Sequence, residues 1–240
     1  MKPFIDIGFI RLPTFYLVMS LALLTVLSFL SSRIDKNKNF ERTTAFDLAL
    51  VIMISGFIGG RLFHVIYEEP RYYLRFPMQI FQFWNGGYVY FGGMLSALLA
   101  SRVFLNRRGE KFLRWADFIA PVLSLIYALG RLACLFEGCC YGKACNLPWS
   151  INGLHPTQLY MVIAELVVFS VILNLKMRVE GQIFFAWLMF HSASRFAIEF
   201  YRDDDRGFMV GNFLSISQII SLLLIGLSLF SIRKTSQKSE

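Results

Sequence analysis

Long apolar runs alternate with short polar connections along the 240 residues. The runs fall at Phe15–Leu30, Ala45–Ile66, Val89–Leu105, Ala116–Cys134, Leu159–Leu175, Ile183–Phe200 and Phe213–Ile232. A helix needs about 20 mostly apolar residues to cross a bilayer, and each run is long enough or nearly so. The pattern therefore predicts an all-α integral membrane protein with about seven transmembrane helices. Gly86-Gly87, Gly92-Gly93, the Gly138–Gly142 segment, Pro148, Pro156 and Gly207 mark turns or re-entrant backbone between them. Gly56, Gly59 and Gly60 fall inside the second run, where small residues let helices approach closely. Residues 1–240 are expected to form a single membrane-embedded helical bundle with short external loops at 67–88 and 135–158. Seven crossings leave no room for a separate soluble domain. The first run lacks a small-residue cleavage site and is followed by further spans, so it reads as a retained helix rather than a signal peptide.

Composition agrees with this picture. Hydrophobic residues make up 56% and charged residues 17%, the latter well below the roughly 25% of soluble domains. The net charge of +8 raises the question of nucleic acid. The basic residues are interspersed with apolar runs instead of gathering on one soluble face, so no nucleic-acid partner is expected. They serve better as a topology signal. One alternate set of connections carries Arg33, Lys36, Lys38 and Arg42, then Arg102, Arg107, Arg108, Lys111 and Arg114, then Lys176 and Arg178, and finally Arg233, Lys234 and Lys238. The other set, with Lys2, Arg11, Arg71, Arg75, Arg131, Lys143, Arg202 and Arg206, is poorer in basic residues. The excess predicts an external N-terminus and a cytoplasmic C-terminus.

Charge inside the apolar runs is what points to chemistry. An arginine at the bilayer centre costs about 2.5–3.5 kcal/mol on insertion scales, so one that persists is usually paired, faces a polar cavity or acts in function. Arg131 opens a glycine-bracketed segment, Gly130 to Gly142, at the outer end of the fourth run, with Glu137 and Gly138 inside it. On the sixth run His191, Arg195, Glu199 and Arg202 share one stripe: at roughly 100° per residue, Glu199 lies about 40° and Arg202 about −20° from Arg195. Arg61 and His64 close the second run. By the topology argument Arg131, Arg202, Glu137 and His155 lie at the external face. Two arginines with a glutamate at headgroup level suit a phosphodiester, because guanidinium forks bind phosphate bidentately and neutralise charge developing on it as it leaves. A phospholipid is the natural ligand. The plainer reading of Arg195 and Glu199, an intrahelical ion pair that makes insertion tolerable, stands beside this one. His64 reads as a structural interfacial histidine.

Gly130-Arg131-Leu132-x-Cys134-x-x-Glu137-Gly138-x-x-Tyr141-Gly142 resembles the signature of the prolipoprotein diacylglyceryl transferases. Four further stretches agree in order and spacing: Ile7-Gly8 with Tyr16; Gly59-Gly60-Arg61 through Tyr72-Tyr73-Leu74 to Trp84-x-Gly86-Gly87; His155-Pro156-x-Gln158-Leu159-Tyr160; and Arg195-Phe196-x-x-Glu199-Phe200-x-Arg202 followed by Ser217-Gln218-x-x-Ser221. The resemblance implies transfer of diacylglycerol from phosphatidylglycerol to the lipobox cysteine of a prolipoprotein, forming a thioether and releasing glycerol phosphate. It implies a multi-pass protein of the bacterial cytoplasmic (inner) membrane with its active site towards the external leaflet. Its expected partners are phosphatidylglycerol, prolipoprotein lipobox peptides and membrane lipid, and no cofactor is expected. Carried over, Arg131 binds the headgroup, Arg202 assists phosphate departure, and Arg195 with Glu199 supports the cavity. Glu137 joins Arg131 and Arg202 as a catalytic candidate. Tyr16, Arg61, Gly92, Gly93, Gly138, Gly142 and His155 complete the expected substrate-binding set.

Two departures qualify the resemblance. The family commonly carries a histidine immediately before the second Gly-Gly pair, where this chain has Phe91, and Phe cannot take a proton from a thiol. The Arg131 segment has Cys134, Glu137 and Cys139 where asparagines and a differently placed glutamate are usual. The thiol is then activated otherwise, through phosphate, His155 or Glu137, or the chain serves another acceptor, or it is a non-catalytic lipid- or lipoprotein-binding protein.

Cys134, Cys139, Cys140 and Cys145 cluster in the same segment. Their C-x4-C-C-x4-C spacing does not match the usual C-x2-C metal pairs, so no metal is expected. A disulfide pinning the loop is the simpler expectation in an oxidising compartment. A nucleophilic cysteine beside Arg131 is the sharper alternative.

Overall fold

In hydrocarbon every backbone N–H and C=O has to be satisfied within its own segment, which makes a long apolar run a helix. The computed structural model describes residues 4–7, 10–176, 179–203, 209–210 and 214–237. Its helices are α1 (Thr14–Lys36), α2 (Arg42–Phe63), the short α3 (Pro70–Arg75), α4 (Tyr90–Arg107), α5 (Phe112–Glu137), α6 (Thr157–Asn174), α7 (Gln182–Glu199) and α8 (Ile216–Gln237). Every predicted apolar run carries one long helix.

Five of these helices are long and apolar enough to cross a membrane: α1, α2 with its π-helical continuation to Glu68, α5, α6 and α8. The protein is thus an all-α membrane protein. Helices α4 and α7 have 18 residues each and fall short in hydropathy. Gly92, Gly93, Arg102 and Arg107 dilute the first, and Gln182, His191, Arg195 and Glu199 the second. Two small hairpins were not foreseen: β1 (Phe4–Ile7) pairs antiparallel with β2 (Ile10–Pro13), and β3 (Met209–Val210) with β4 (Leu214–Ser215).

The chain forms two compact units, Ser31–Phe112 and Met1–Leu30 with Leu113–Glu240. In the first, α2 lies against α4 through glycines. A Cβ on Gly93 would come within 2.8 Å of the Gly56 carbonyl oxygen, and one on Gly59 within 2.8 Å of that of Gly92 while overlapping Ser96. Only hydrogen at these positions permits so close an approach. Gly92-Gly93, expected as a turn, is therefore helical, in the first turn of α4, and serves helix packing. At the far end of α4, Arg108 donates to Thr44 Oγ1 at 2.8 Å and Asp47 Oδ2 at 2.5 Å on α2.

In the second unit α7 packs between α6 and α8. Trp115, Met161 and Ile172 are fully buried there, whereas Leu222, Leu223, Leu227 and Phe230 of α8 point outward, as lipid-facing side chains do. The start of α7 is set by a residue distant in sequence. Asp117 of α5 accepts hydrogen bonds from the backbone N–H of Gly181 at 2.6 Å and of Phe184 at 2.8 Å, which satisfies donors that a helix N-terminus leaves open.

Candidate active site

The site is assembled where α5 ends. Gly138 at φ +83° and Cys140 at φ +67° turn the chain out of the helix. For a non-glycine residue the left-handed region costs about 1–3 kcal/mol and persists only where the surroundings enforce it. Here the start of α6 does so: Thr157 donates through Oγ1 to the Cys140 carbonyl at 2.7 Å, and the Gln158 amide donates to the Cys139 carbonyl. Downstream, the Gly142 N–H donates to the His155 carbonyl at 2.8 Å and the Lys143 N–H to the Tyr201 carbonyl at 2.9 Å. Gly142 thereby pairs as an isolated bridge with Arg202. A Cβ at Gly142 would lie 2.1 Å from the Tyr201 carbonyl oxygen, so only glycine admits this pairing.

The arginines have defined partners. Arg131 donates through Nη2 to Tyr127 Oη at 2.8 Å, one turn back on α5, with its guanidinium 5.0 Å from the Tyr127 ring centre. Its local partner is Tyr127. Glu137 is exposed at the last position of α5. Arg195 Nη2 meets Glu199 Oε2 at 2.8 Å, Arg202 Nε lies 3.9 Å from the same oxygen, and Ser215 Oγ donates to Glu199 Oε1 at 3.0 Å. Of the stripe read on the sixth run, Arg195, Glu199 and Arg202 therefore come together, with Glu199 ion-paired to Arg195 and close to Arg202, while His191 turns to another partner. His155 sits beside it, its Nδ1 3.1 Å from Tyr160 Oη and its ring 5.0 Å from that of Tyr201.

All four cysteines are free thiols, so the expected disulfide is not formed. Cys134, Cys139 and Cys140 instead bring their sulfurs within 4.8 Å of one another, with 3.4 Å between Cys139 and Cys140. The Cys140 thiol is pulled down to about 5 by the hydrogen bond from Cys134, the contact with Cys139 and the positive charges of Arg131 and Arg202, against the effect of burial. Cys139 is pushed up to about 11, first by burial and then by its contact with Cys140. Positive charge beside a thiol favours its thiolate form. Spacing along the chain could not show this convergence, because the helix end and a left-handed residue create it.

A second polar group escaped the sequence reading. Glu165 of α6 is 0% exposed, and its carboxylate takes the His191 ring N–H at 2.5 Å and the Ser124 hydroxyl at 2.9 Å. The His191 ring meets Tyr127 edge-on at 4.6 Å and stacks on Trp187 at 5.4 Å. Glu165 thus reaches Arg131 through His191 and Tyr127. A lone glutamate within an apolar run was the available signal, since buried carboxylates require partners.

Tyr16 is 63% exposed on α1, and Gly92 and Gly93 belong to the α2–α4 contact described above. Arg61, also in the Ser31–Phe112 unit, is 8% exposed. It donates to the carbonyls of Gln79 at 2.7 Å, Ile80 at 3.2 Å, Gln82 at 3.3 Å, Gly86 at 2.5 Å and Gly87 at 3.3 Å. Its fork thus organises the loop before α4, beside a cavity of about 460 Å³ lined by His64, Glu69, Tyr72 and Tyr73. His64 pairs with Glu68 at 2.5 Å. Replacing Arg61 with alanine is expected to cost about 3 kcal/mol or more by stranding buried carbonyls, and to open residues 76–88 to protease. Lysine recovers little, because one ammonium cannot span five acceptors. Unchanged melting and protease resistance in detergent micelles would refute this.

Comparison with known proteins agrees with the motifs. The family profile described as prolipoprotein diacylglyceryl transferase matches residues 2–233. A phosphatidylglycerol–prolipoprotein diacylglyceryl transferase of Bordetella parapertussis is 33% identical over 209 residues, covering 80% of this chain and 79% of the relative. The Bordetella avium protein of the same name is 35% identical over 199 residues, with 77% and 75% covered. That of Geobacter sulfurreducens is 32% identical over 197, with 76% and 75% covered. With its Arg131 segment and arginine seam folded onto one another and its sequence matched almost end to end, this chain belongs to the prolipoprotein diacylglyceryl transferase family.

Proposed function

We propose that this protein transfers a diacylglyceryl group from phosphatidylglycerol to the lipobox cysteine of prolipoproteins. The carrying observation is that the segment leaving α5, whose last two turns hold Arg131, pairs through Gly142 with Arg202 after α7, so that both guanidinium charges fall on the Cys140 segment. Such a pocket suits a phosphodiester. In the reaction the acceptor sulfur attacks the glyceryl carbon bonded to the phosphate ester oxygen. A C–S bond forms, the C–O bond breaks, and glycerol phosphate leaves with the electron pair. Arg131 holds the headgroup phosphate, and Arg202, kept in place by Glu199 and the Gly142 bridge, neutralises charge accumulating on the leaving group. Arg195 braces Glu199. Glu137 and His155 border the acceptor, Gly138 and Gly142 shape the loop, Tyr16 lines the lipid path, and Arg61 with Gly92 and Gly93 positions the first unit's loop and helices.

The same reading has α4 and α7 cross the bilayer with the five more apolar helices, giving seven spans in the bacterial inner membrane. Their shortfall in hydropathy comes from polar side chains that in α7 pair with each other, with Glu165 or, for Gln182, with Ser236. The Lys/Arg excess on alternate connections supports an external N-terminus and an active site towards the external leaflet. The test is mass spectrometry of a lipobox peptide incubated with purified protein in phosphatidylglycerol vesicles. A diacylglyceryl mass gain that requires phosphatidylglycerol is expected. No gain from folded protein that still binds phosphatidylglycerol would favour a non-catalytic lipid-binding role.

A further inference from the structure

Thioether formation needs the acceptor as a thiolate, and the chain's own thiols suggest how one is generated. We propose that Cys134, Cys139 and Cys140 hold a zinc ion whose fourth position receives the acceptor cysteine of the prolipoprotein, an inference that rests on the function proposed above. Sulfurs around tetrahedral zinc, at Zn–S of about 2.3 Å, stand about 3.8 Å apart. The three sulfurs already lie within 4.8 Å of one another and two of them at 3.4 Å, so small rotamer changes complete the set. The ligands are held from outside the cluster: Cys134 by α5, Cys139 and Cys140 by Gln158 and Thr157 on their carbonyls. Cys140 keeps a left-handed backbone, φ +67°, in the process. Three protein ligands with one open position is the arrangement of catalytic rather than structural zinc. Thiolates select zinc or copper(I) among common metals, and zinc suits a transfer without electron exchange.

Charge balance supports the same assignment. Three thiolates with Zn²⁺ carry −1, and the bound acceptor thiolate makes this −2. Arg131, whose charge reaches Cys134 and Cys140, and Arg202, whose charge reaches Cys140, offset it. The acceptor thiol displaces water from zinc and gives its proton to solvent. Its sulfur electron pair then forms the C–S bond as the C–O bond breaks, so nothing is oxidised or reduced. The Phe91 position needs no base under this scheme, because zinc holds the thiolate.

The full chain, purified in detergent micelles without chelator, is expected to carry about one zinc per chain by elemental mass spectrometry. The Cys139→Ser/Cys140→Ser variant loses it, and Cys145→Ser keeps it. Cobalt(II) in place of zinc gives a thiolate charge-transfer band that grows when a lipobox peptide is added and does not grow with a serine-substituted peptide. This arm uses the unsubstituted protein and does not depend on how the variants fold. Copper in place of zinc, oxidised Cys134, Cys139 and Cys140 in metal-free protein, or a cobalt band blind to the peptide overturns the proposal. Lipid transfer assayed on the same samples separates the two inferences. Transfer that survives complete metal removal sinks the zinc site and leaves the transferase. A peptide-responsive cobalt band without transfer keeps the zinc site and sinks the transferase.

Discussion

Replacing Arg131 with alanine is expected to lower kcat/KM for diacylglyceryl transfer about 10³-fold, the upper range for removing a donor aimed at charge that develops in a transition state. The fold should survive, because the residue is only part-buried and its hydrogen bond ends on a tyrosine hydroxyl. Lysine at this position restores charge without the planar fork, so the variant should recover only part of the rate. Tyr127→Phe probes how Arg131 is aimed. Loss of one hydrogen bond from a charged donor predicts a fall of about tenfold or more, with the phosphatidylglycerol dependence retained. Steady-state kinetics with a lipobox peptide in vesicles measures all three. A full-rate Arg131→Ala enzyme would remove this residue from the site and with it the main reason for reading a phosphate pocket there.

Glu165→Ala is expected to destabilise the protein by about 3–5 kcal/mol, the usual effect of removing one partner from a buried ionisable pair. The carboxylate is fully buried, and its loss strands the His191 ring N–H, while the Ser124 hydroxyl keeps the backbone carbonyl of residue 165 as its acceptor. The sharper form of the prediction is a cycle. Glu165→Leu with His191→Leu should cost far less than the two single changes summed, since replacing both members by apolar groups removes the desolvation penalty along with the bond. Unfolding in detergent micelles, followed by circular dichroism, gives the values. Additive single and double variants would mean that the pair is not coupled. Because His191 packs on Tyr127, the single Glu165 variant should also lose transfer rate at temperatures where it is still folded.

Much of the protein was legible one residue at a time. Runs of apolar residues had to become helices because hydrocarbon offers no other partner for the backbone, and all seven runs did so. Arg131, Arg195, Glu199 and Arg202 stood out because charge in such runs is expensive, and the 3.6-residue repeat alone placed the last three on one face. Small residues in the second run foretold a close helix contact. What no local pattern contained was the identity of each partner. Arg131 leans on Tyr127. Arg61 spends its donors on carbonyls some 18 to 26 residues away. Gly92-Gly93 reads as a turn by composition yet is helical, because Gly56 and Gly59 need its bare surface. The Glu165–His191 pair joins two helices through residues 26 apart in sequence, and the three-thiol cluster depends on where α5 stops and on a left-handed Cys140. The sequence by itself determined the membrane solvent, the helices and the charged residues that had to find partners, since transfer free energy acts on each segment alone. The tertiary structure decided which partners they found, because hydrogen bonds and sulfur contacts act over a few ångströms that only packing can bring about.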